Sequence, residues 1–207
     1  MTSKMGVFMS HKGRKDRGVV VCISGLTASG KSTVARMLAK RYNLNYYSGG
    51  GMLKEVAVEM GYSPGGEDWW GTEDGKRFLK ERLRNFEYDR IVDQKLLKKA
   101  EEGNVVLDSW TMPWLLDFGF KIWIDAPLEV RAERLSRRNK IPIDEALKSL
   151  KEKDETTRKI YKELYGINLG FDFSPFHVVI DNSNLNVEET FSVLCEVLDR
   201  IVFKRGV

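Results

Sequence analysis

The chain has 207 residues, of which 42% are hydrophobic and 31% charged, and a net charge of +4; this suits one domain large enough for a sheet covered on both faces. No apolar run approaches the roughly 18 residues of a membrane span, and the basic start lacks the apolar segment of a secretory signal. The two cysteines, Cys22 and Cys195, and the two histidines, His11 and His177, have no metal-ligand spacing, so disulfide scaffolds and zinc modules are set aside and a reducing cytoplasm is expected.

Residues 1–17 form a basic tail, with Lys4, Lys12, Arg14, Lys15 and Arg17 against Asp16. It reads as a flexible, solvated lead-in. A nucleic-acid-contacting arm is the weaker reading, because no aromatics are interleaved with the charges.

The kinase-like part is expected over 18–207. A β-branched run, Val19-Val20-Val21-Cys22-Ile23-Ser24, enters Gly25-Leu26-Thr27-Ala28-Ser29-Gly30-Lys31-Ser32-Thr33 and then a helical pattern with Val34, Met37 and Leu38 on one face. Strand, Gly-x-x-x-x-Gly-Lys-Ser and helix in that order specify a phosphate loop. Gly25 permits the turn out of the strand, and Gly30 lets backbone approach a phosphate. Lys31 offers a mobile charge to the β- and γ-phosphates of ATP, and Ser32 a hydroxyl to Mg²⁺. Helix N-terminal amides and the helix dipole face the same anion.

After this helix, Leu44-Asn45-Tyr46-Tyr47 reads as a second strand, Ser48-Gly49-Gly50-Gly51 as a turn, and Met52 to Met60 as a helix. Residues 61–76 read as an aromatic loop containing Trp69 and Trp70. From Arg77 to Glu102 an amphipathic pattern predicts two helices, with Arg82, Arg84, Asp89, Arg90 and Asp93 on a solvated face. Val105-Val106-Leu107 is a buried strand closing on Asp108, the pattern of a Mg²⁺-side carboxylate. Phe120 to Asp125 is the next strand. The helix from Pro127 to about Asn139 carries Arg131, Arg134 and Arg138 near one face, which suggests phosphate contact. Asp144 reads as the N-cap of charged helices through Leu164, Val178-Val179-Ile180 as the last strand, and 186–202 as a C-terminal helix. Five strand candidates alternating with helices predict an α/β fold: a P-loop NTPase with a five-stranded parallel sheet and helices on both faces.

Ile23-Ser24-Gly25 to Thr33, Ser48 to Glu55, Gly103 to Asp108, Ala126 to Arg134, Glu145-Ala146-Leu147 and Tyr161 to Ile167 together resemble the archaeal-type cytidylate kinases among the nucleoside monophosphate kinases. The resemblance implies ATP- and Mg²⁺-dependent phosphoryl transfer to a small-molecule acceptor, CMP or dCMP. It also implies a helical acceptor-binding insertion at about 48–102 and a helical lid at about 136–166. Gly25 to Thr33 would hold the ATP phosphates, and Asn182 would lie near the adenine. Ser48, Gly50, Lys54, Asp108 and Trp110 would face the acceptor. Lys31, Arg134, Arg138 and Arg158 would offset charge on the transferring group, and Ser32 with Asp108 would hold the metal. Four positions depart from the family pattern: Trp110, Lys54, Lys153 and Ile160 stand where it has arginine. A different acceptor, another nucleotide or an RNA 5′ end, and a nucleotide-binding protein without catalysis are the competing expectations. No membrane partner is expected, and the oligomeric state is open.

Overall fold

The computed structural model describes residues 18–63, 69 and 72–204. The basic tail and Trp70 lie outside them. One five-stranded sheet has the order β2-β3-β1-β4-β5, with β1 at Val20–Ser24, β2 at Asn45–Ser48, β3 at Val105–Asp108, β4 at Phe120–Asp125 and β5 at Val178–Asp181. Every pairing is parallel, as the alternation of strand and helix patterns requires. The three central strands are predominantly apolar and buried rather than alternating, because both of their faces are covered; Lys121 of β4 is a buried exception.

Alternate residues of the strands feed two separate cores. Cys22, Val105 and Leu107 pack with α2 (Gly49–Glu59), α3 (Glu73–Arg82), α4 (Glu87–Glu102) and the short α5 (Met112–Leu115). Val21, Ile23, Ile122 and Ile124 pack with α1 (Lys31–Tyr42) and α8 (Val187–Ile201). Two further helices, α6 (Leu128–Asn139) and α7 (Ile143–Tyr165), join each other through Ala132, Leu135, Ala146 and Leu150. Asn186 and Glu189 close α8 with a reciprocal capping box. Among the described residues, no helix is long and apolar enough to cross a membrane.

Four local expectations are corrected. The glycine triplet is not a turn: α2 starts at Gly49, because the Ser48 hydroxyl accepts from the Gly51 amide and caps the helix there. The loop at 61–76 ends early, since Thr72 caps α3 and Glu73 and Asp74 favour its first turn. Asp144 lies inside the first turn of α7, which begins directly after Pro142 and continues unbroken to Tyr165. Trp69 is a core residue, 1% exposed and packed against Phe78, with its indole N–H on the Ser63 carbonyl.

Candidate active site

The loop after the central strand is built by three left-handed or otherwise positive φ values, at Gly25 (153°), Ala28 (65°) and Gly30 (93°). Gly25 is obligatory on space as well: a Cβ there would stand 2.3 Å from the Ile124 carbonyl oxygen. Gly30 is the N-cap of α1, and Lys31 is its first residue. Asn182 and Arg134 brace the loop at Ser29. Asn182 donates from Nδ2 to the Ser29 carbonyl at 3.0 Å. Arg134 donates to that carbonyl at 3.3 Å and to the Asn182 side-chain and backbone oxygens at 2.9 and 2.8 Å. Both residues thus hold the loop's rim. The buried hydroxyls of Thr27 and Ser29 have no hydrogen-bond partner among the described residues. Polar groups at such burial ordinarily bind something, so these residues fit a polyphosphate.

On the other side of β1, the pairing of β2 with β3 sets Ser48 beside Asp108. Asp108 is 5% exposed and accepts a 3.0 Å bond from the Tyr46 hydroxyl, whose ring lies under the Arg36 guanidinium. Burial, then the Asp108 charge, pushes the Tyr46 phenol up to about 12, so it remains a donor. The Ser109 amide donates to the Ile23 carbonyl, which ties the end of β3 to the strand feeding the phosphate loop. Asp108 thus ends the strand beside β1, and Ser32 lies in the first turn of α1, just after the loop that leaves β1. An oxygen pair of this kind fits Mg²⁺, which keeps most of its ligands as water and substrate phosphate. Gly50 opens to free space, and Lys54 lies half-buried on α2.

The lid-side cations divide into two sets. Arg131 is not on a phosphate-facing surface: it is 4% exposed, paired with Asp154 at 2.9 Å, and donates to the Ala126 and Thr27 carbonyls. The turn of α6 that carries it faces α7, so the arginine satisfies a buried carboxylate. Arg138 is exposed at the end of α6, with its Nε on the Asn139 side chain. Arg158 donates to the Leu169 carbonyl and stacks over Phe171 at 4.9 Å. Lys153, passed over as a site residue in the sequence, reaches into the same cleft. It touches solvent along more than a third of its surface, yet protein crowds its ammonium. That crowding, then Lys31, Arg82 and Arg138, pushes it down to about 8.

A second group missed in the sequence is a buried polar network linking the insertion to α7. Arg82, expected on a solvated face, is 7% exposed and makes a two-pronged bond to Asp89 at 2.7 and 2.9 Å. Tyr161 of α7 donates to the same carboxylate. Asp93, 4% exposed, accepts from Thr111 at 2.5 Å and from Tyr165 at 2.8 Å. Burial lifts Asp93 to about 6, against the pull of those two hydroxyls. The signal was available: Asp89 and Asp93 share the stripe of Val92, Leu96 and Ala100 on α4, and carboxylates in an apolar stripe are buried with partners.

Trp110 stands against the phosphate loop. Its indole N–H donates to the Gly25 carbonyl at 2.9 Å, and the Lys31 ammonium lies over its ring, 5.5 Å from the centroid. Two open surface cavities, of about 330 and 290 Å³, lie between α2 and α3 and along α7. Neither is lined by a phosphate-loop residue.

The sequence pattern of the cytidylate kinase-like family matches residues 20–184. The chain belongs to that family. It is accordingly an enzyme of the nucleoside monophosphate kinase kind. The cytidylate kinase of Methanocaldococcus jannaschii is 37% identical over 188 residues, covering 88% of this chain and 99% of that one. The cytidylate kinase of Methanopyrus kandleri is 34% identical over 195 residues, covering 89% and 95%. Among solved structures, an uncharacterized protein from Eubacterium ventriosum superposes with a TM-score of 0.58 at 21% identity, covering 87% of this chain and 98% of its own. A shikimate kinase from Bacteroides thetaiotaomicron gives 0.54 at 16%, with the same coverage. At those identities the two structures bear on the fold alone.

Proposed function

We propose that this family member transfers the γ-phosphoryl group of ATP to CMP or dCMP. The observation that carries the reading is the phosphate loop, braced at Ser29 by Asn182 and Arg134, with the insertion on one side and the cations of α6 and α7 on the other. The attacking atom is an oxygen of the acceptor's own phosphate. It needs no general base, and the protein's contribution is position and charge.

Gly25 to Thr33 hold the ATP phosphates through backbone amides and Lys31. Ser48, Gly50, Lys54 and Asp108 line the acceptor side. Lys31, Arg138, Lys153 and Arg158 offset the charge that spreads over the transferring group, and Arg134 acts from the loop's rim. Ser32 and Asp108 would hold Mg²⁺, which would supply charge neutralisation on the nucleotide phosphates. Movement of α6 and α7 over the phosphate loop would exclude water, which would otherwise take the phosphoryl group.

ADP release with ATP and Mg²⁺, offered CMP, dCMP, UMP, AMP and GMP in turn, tests the reading. Stimulation by CMP or dCMP is expected. Lys31→Ala should reduce that turnover by about 10²–10³. Full turnover in Lys31→Ala would refute the site. Stimulation by none of the five, with ATP binding intact, would refute the acceptor class. A different acceptor is then favoured by one feature, the indole of Trp110 where the family pattern has arginine.

A further inference from the structure

Trp110 lies at the meeting point of three parts of the molecule. It follows Asp108 and Ser109 at the end of β3. Its only hydrogen-bond donor is spent on the Gly25 carbonyl at 2.9 Å. Gly25 is pressed from the other side by β4, where the Ile124 carbonyl leaves no room for a Cβ. The indole therefore clamps the first residue of the phosphate loop against the sheet. Its ring also packs against Tyr161 of α7, centroids 6.1 Å apart, and belongs to the apolar cluster of Leu26, Ile160 and Leu169.

The face of the ring carries the Lys31 ammonium at 5.5 Å, within the range of an attractive cation–π contact. Among the described residues, no carboxylate forms an ion pair with Lys31, and Lys153 lies close enough for Lys31 to weigh on its protonation. The ring's electron-rich face is thus an attractive neighbour for a cation that has another cation, Lys153, nearby. An arginine at 110 would do the reverse, adding another charge to repel Lys31.

We propose that Trp110 is a positioning residue for the phosphate-loop lysine: it holds Lys31 on its indole face before nucleotide arrives and hands the ammonium to the phosphates of ATP when it binds. The inference rests on the proposed ATP-phosphate role of Lys31. The hand-over runs downhill, because a charge-assisted hydrogen bond to phosphate is stronger than a partly exposed cation–π contact. Tyr161 extends the link further. Its hydroxyl bonds Asp89, so the ring that holds Lys31 also abuts the network joining α7 to the insertion.

The test is a titration of Mg-ATP, without acceptor, into the full-length wild-type chain, Trp110→Phe and Lys31→Met, read by tryptophan emission and by calorimetry. An emission change tracking ATP occupancy is expected in the wild type. It should vanish in Trp110→Phe, which keeps an aromatic face but removes the reporting indole. Lys31→Met should show, before any ATP is added, the shift that ATP produces in the wild type.

Steady-state kinetics supply a second readout. Trp110→Leu should raise the KM for ATP by about threefold or more and lower kcat, while the acceptor KM stays within about twofold. Trp110→Phe should recover part of the loss, and circular dichroism checks that both variants fold. Three results overturn the proposal. One is an ATP-dependent emission change that survives in Trp110→Phe. Another is a large rise in acceptor KM with the ATP KM unmoved, which would assign Trp110 to the acceptor base. The third is a wild type that binds ATP with no emission change at all. If calorimetry detects no ATP binding, the nucleotide reading fails and the proposal fails with it. If ATP binds but no monophosphate is phosphorylated, only the acceptor assignment fails, and the titration still decides the role of Trp110.

Discussion

Replacing Arg131 with Met separates a structural from a catalytic arginine. In the folded chain Arg131 supplies hydrogen bonds to three acceptors: the Asp154 carboxylate at 2.9 Å, the Ala126 carbonyl at 3.0 Å and the Thr27 carbonyl at 3.1 Å. Arg131 and Asp154 are each 4% exposed, so water cannot take over those bonds without opening the contact between α6 and α7. Burial alone pushes Asp154 upward, and Arg131 is the first influence pulling it back. Without the arginine, a carboxyl remains in a site that disfavours its charge. Breaking a buried pair from one side costs about 3–5 kcal/mol. At about 2–4 °C per kcal/mol for a domain of this size, the melting temperature should fall by roughly 6–20 °C. Thermal unfolding by circular dichroism at pH 7 measures it. Arg131→Met with Asp154→Leu should recover most of the loss, because apolar residues can replace both partners. If Arg131 instead met phosphate, as its spacing with Arg134 and Arg138 suggested, Arg131→Met would lower kcat by about 10²-fold with the melting temperature unmoved. That result would refute the structural assignment.

Two titrations follow from the same burial of charged groups. Asp93 is lifted from 3.8 to about 6 in the folded chain, so it holds its proton more tightly folded than unfolded. Its contribution to stability is therefore present below pH 4 and lost as pH rises through about 6. Between pH 4 and 8 the wild type should lose up to about 3 kcal/mol relative to Asp93→Asn. Denaturant unfolding of both at those two pH values measures it, and parallel pH profiles would refute the shift. Lys153, held down to about 8, should regain its full charge beside bound polyphosphate. Mg-ATP binding at pH 8 should then take up about half a proton, and almost none at pH 6.5. Calorimetry in buffers of different ionisation enthalpy reads that uptake. Uptake that persists in Lys153→Arg would assign the proton to another group.

The frame of this fold was legible because its signals are local. Phe120 to Asp125 reads as a buried strand with the bounds the structure gives it, and Gly25 to Thr33 reads as a phosphate loop from spacing alone. What was not legible depends on which side of a charged helix meets another helix. Arg131, Arg134 and Arg138 look equivalent at helical spacing, yet one is buried against α7, one braces Asn182 and one is exposed at the helix end. A few tens of degrees of helix rotation decide among those environments, and that rotation is set by Ala132 and Leu135 packing on Ala146 and Leu150, residues 11 to 18 positions apart. Arg82 and Asp89 fail for the same reason. On separate helices, α3 and α4, each reads as solvated, and their pairing exists only once the turn at 83–86 folds the two helices together. Trp110 is the sharpest case. The family resemblance sets it at the acceptor, and nothing in its local sequence announces its partners, Gly25, Lys31 and Tyr161, which are 85, 79 and 51 positions away along the chain. A side chain whose contacts are that distant in sequence takes its role from the topology: the parallel pairing of β1 with β3 sets Ile23 opposite Asp108 and so brings residue 110 to the mouth of the phosphate loop.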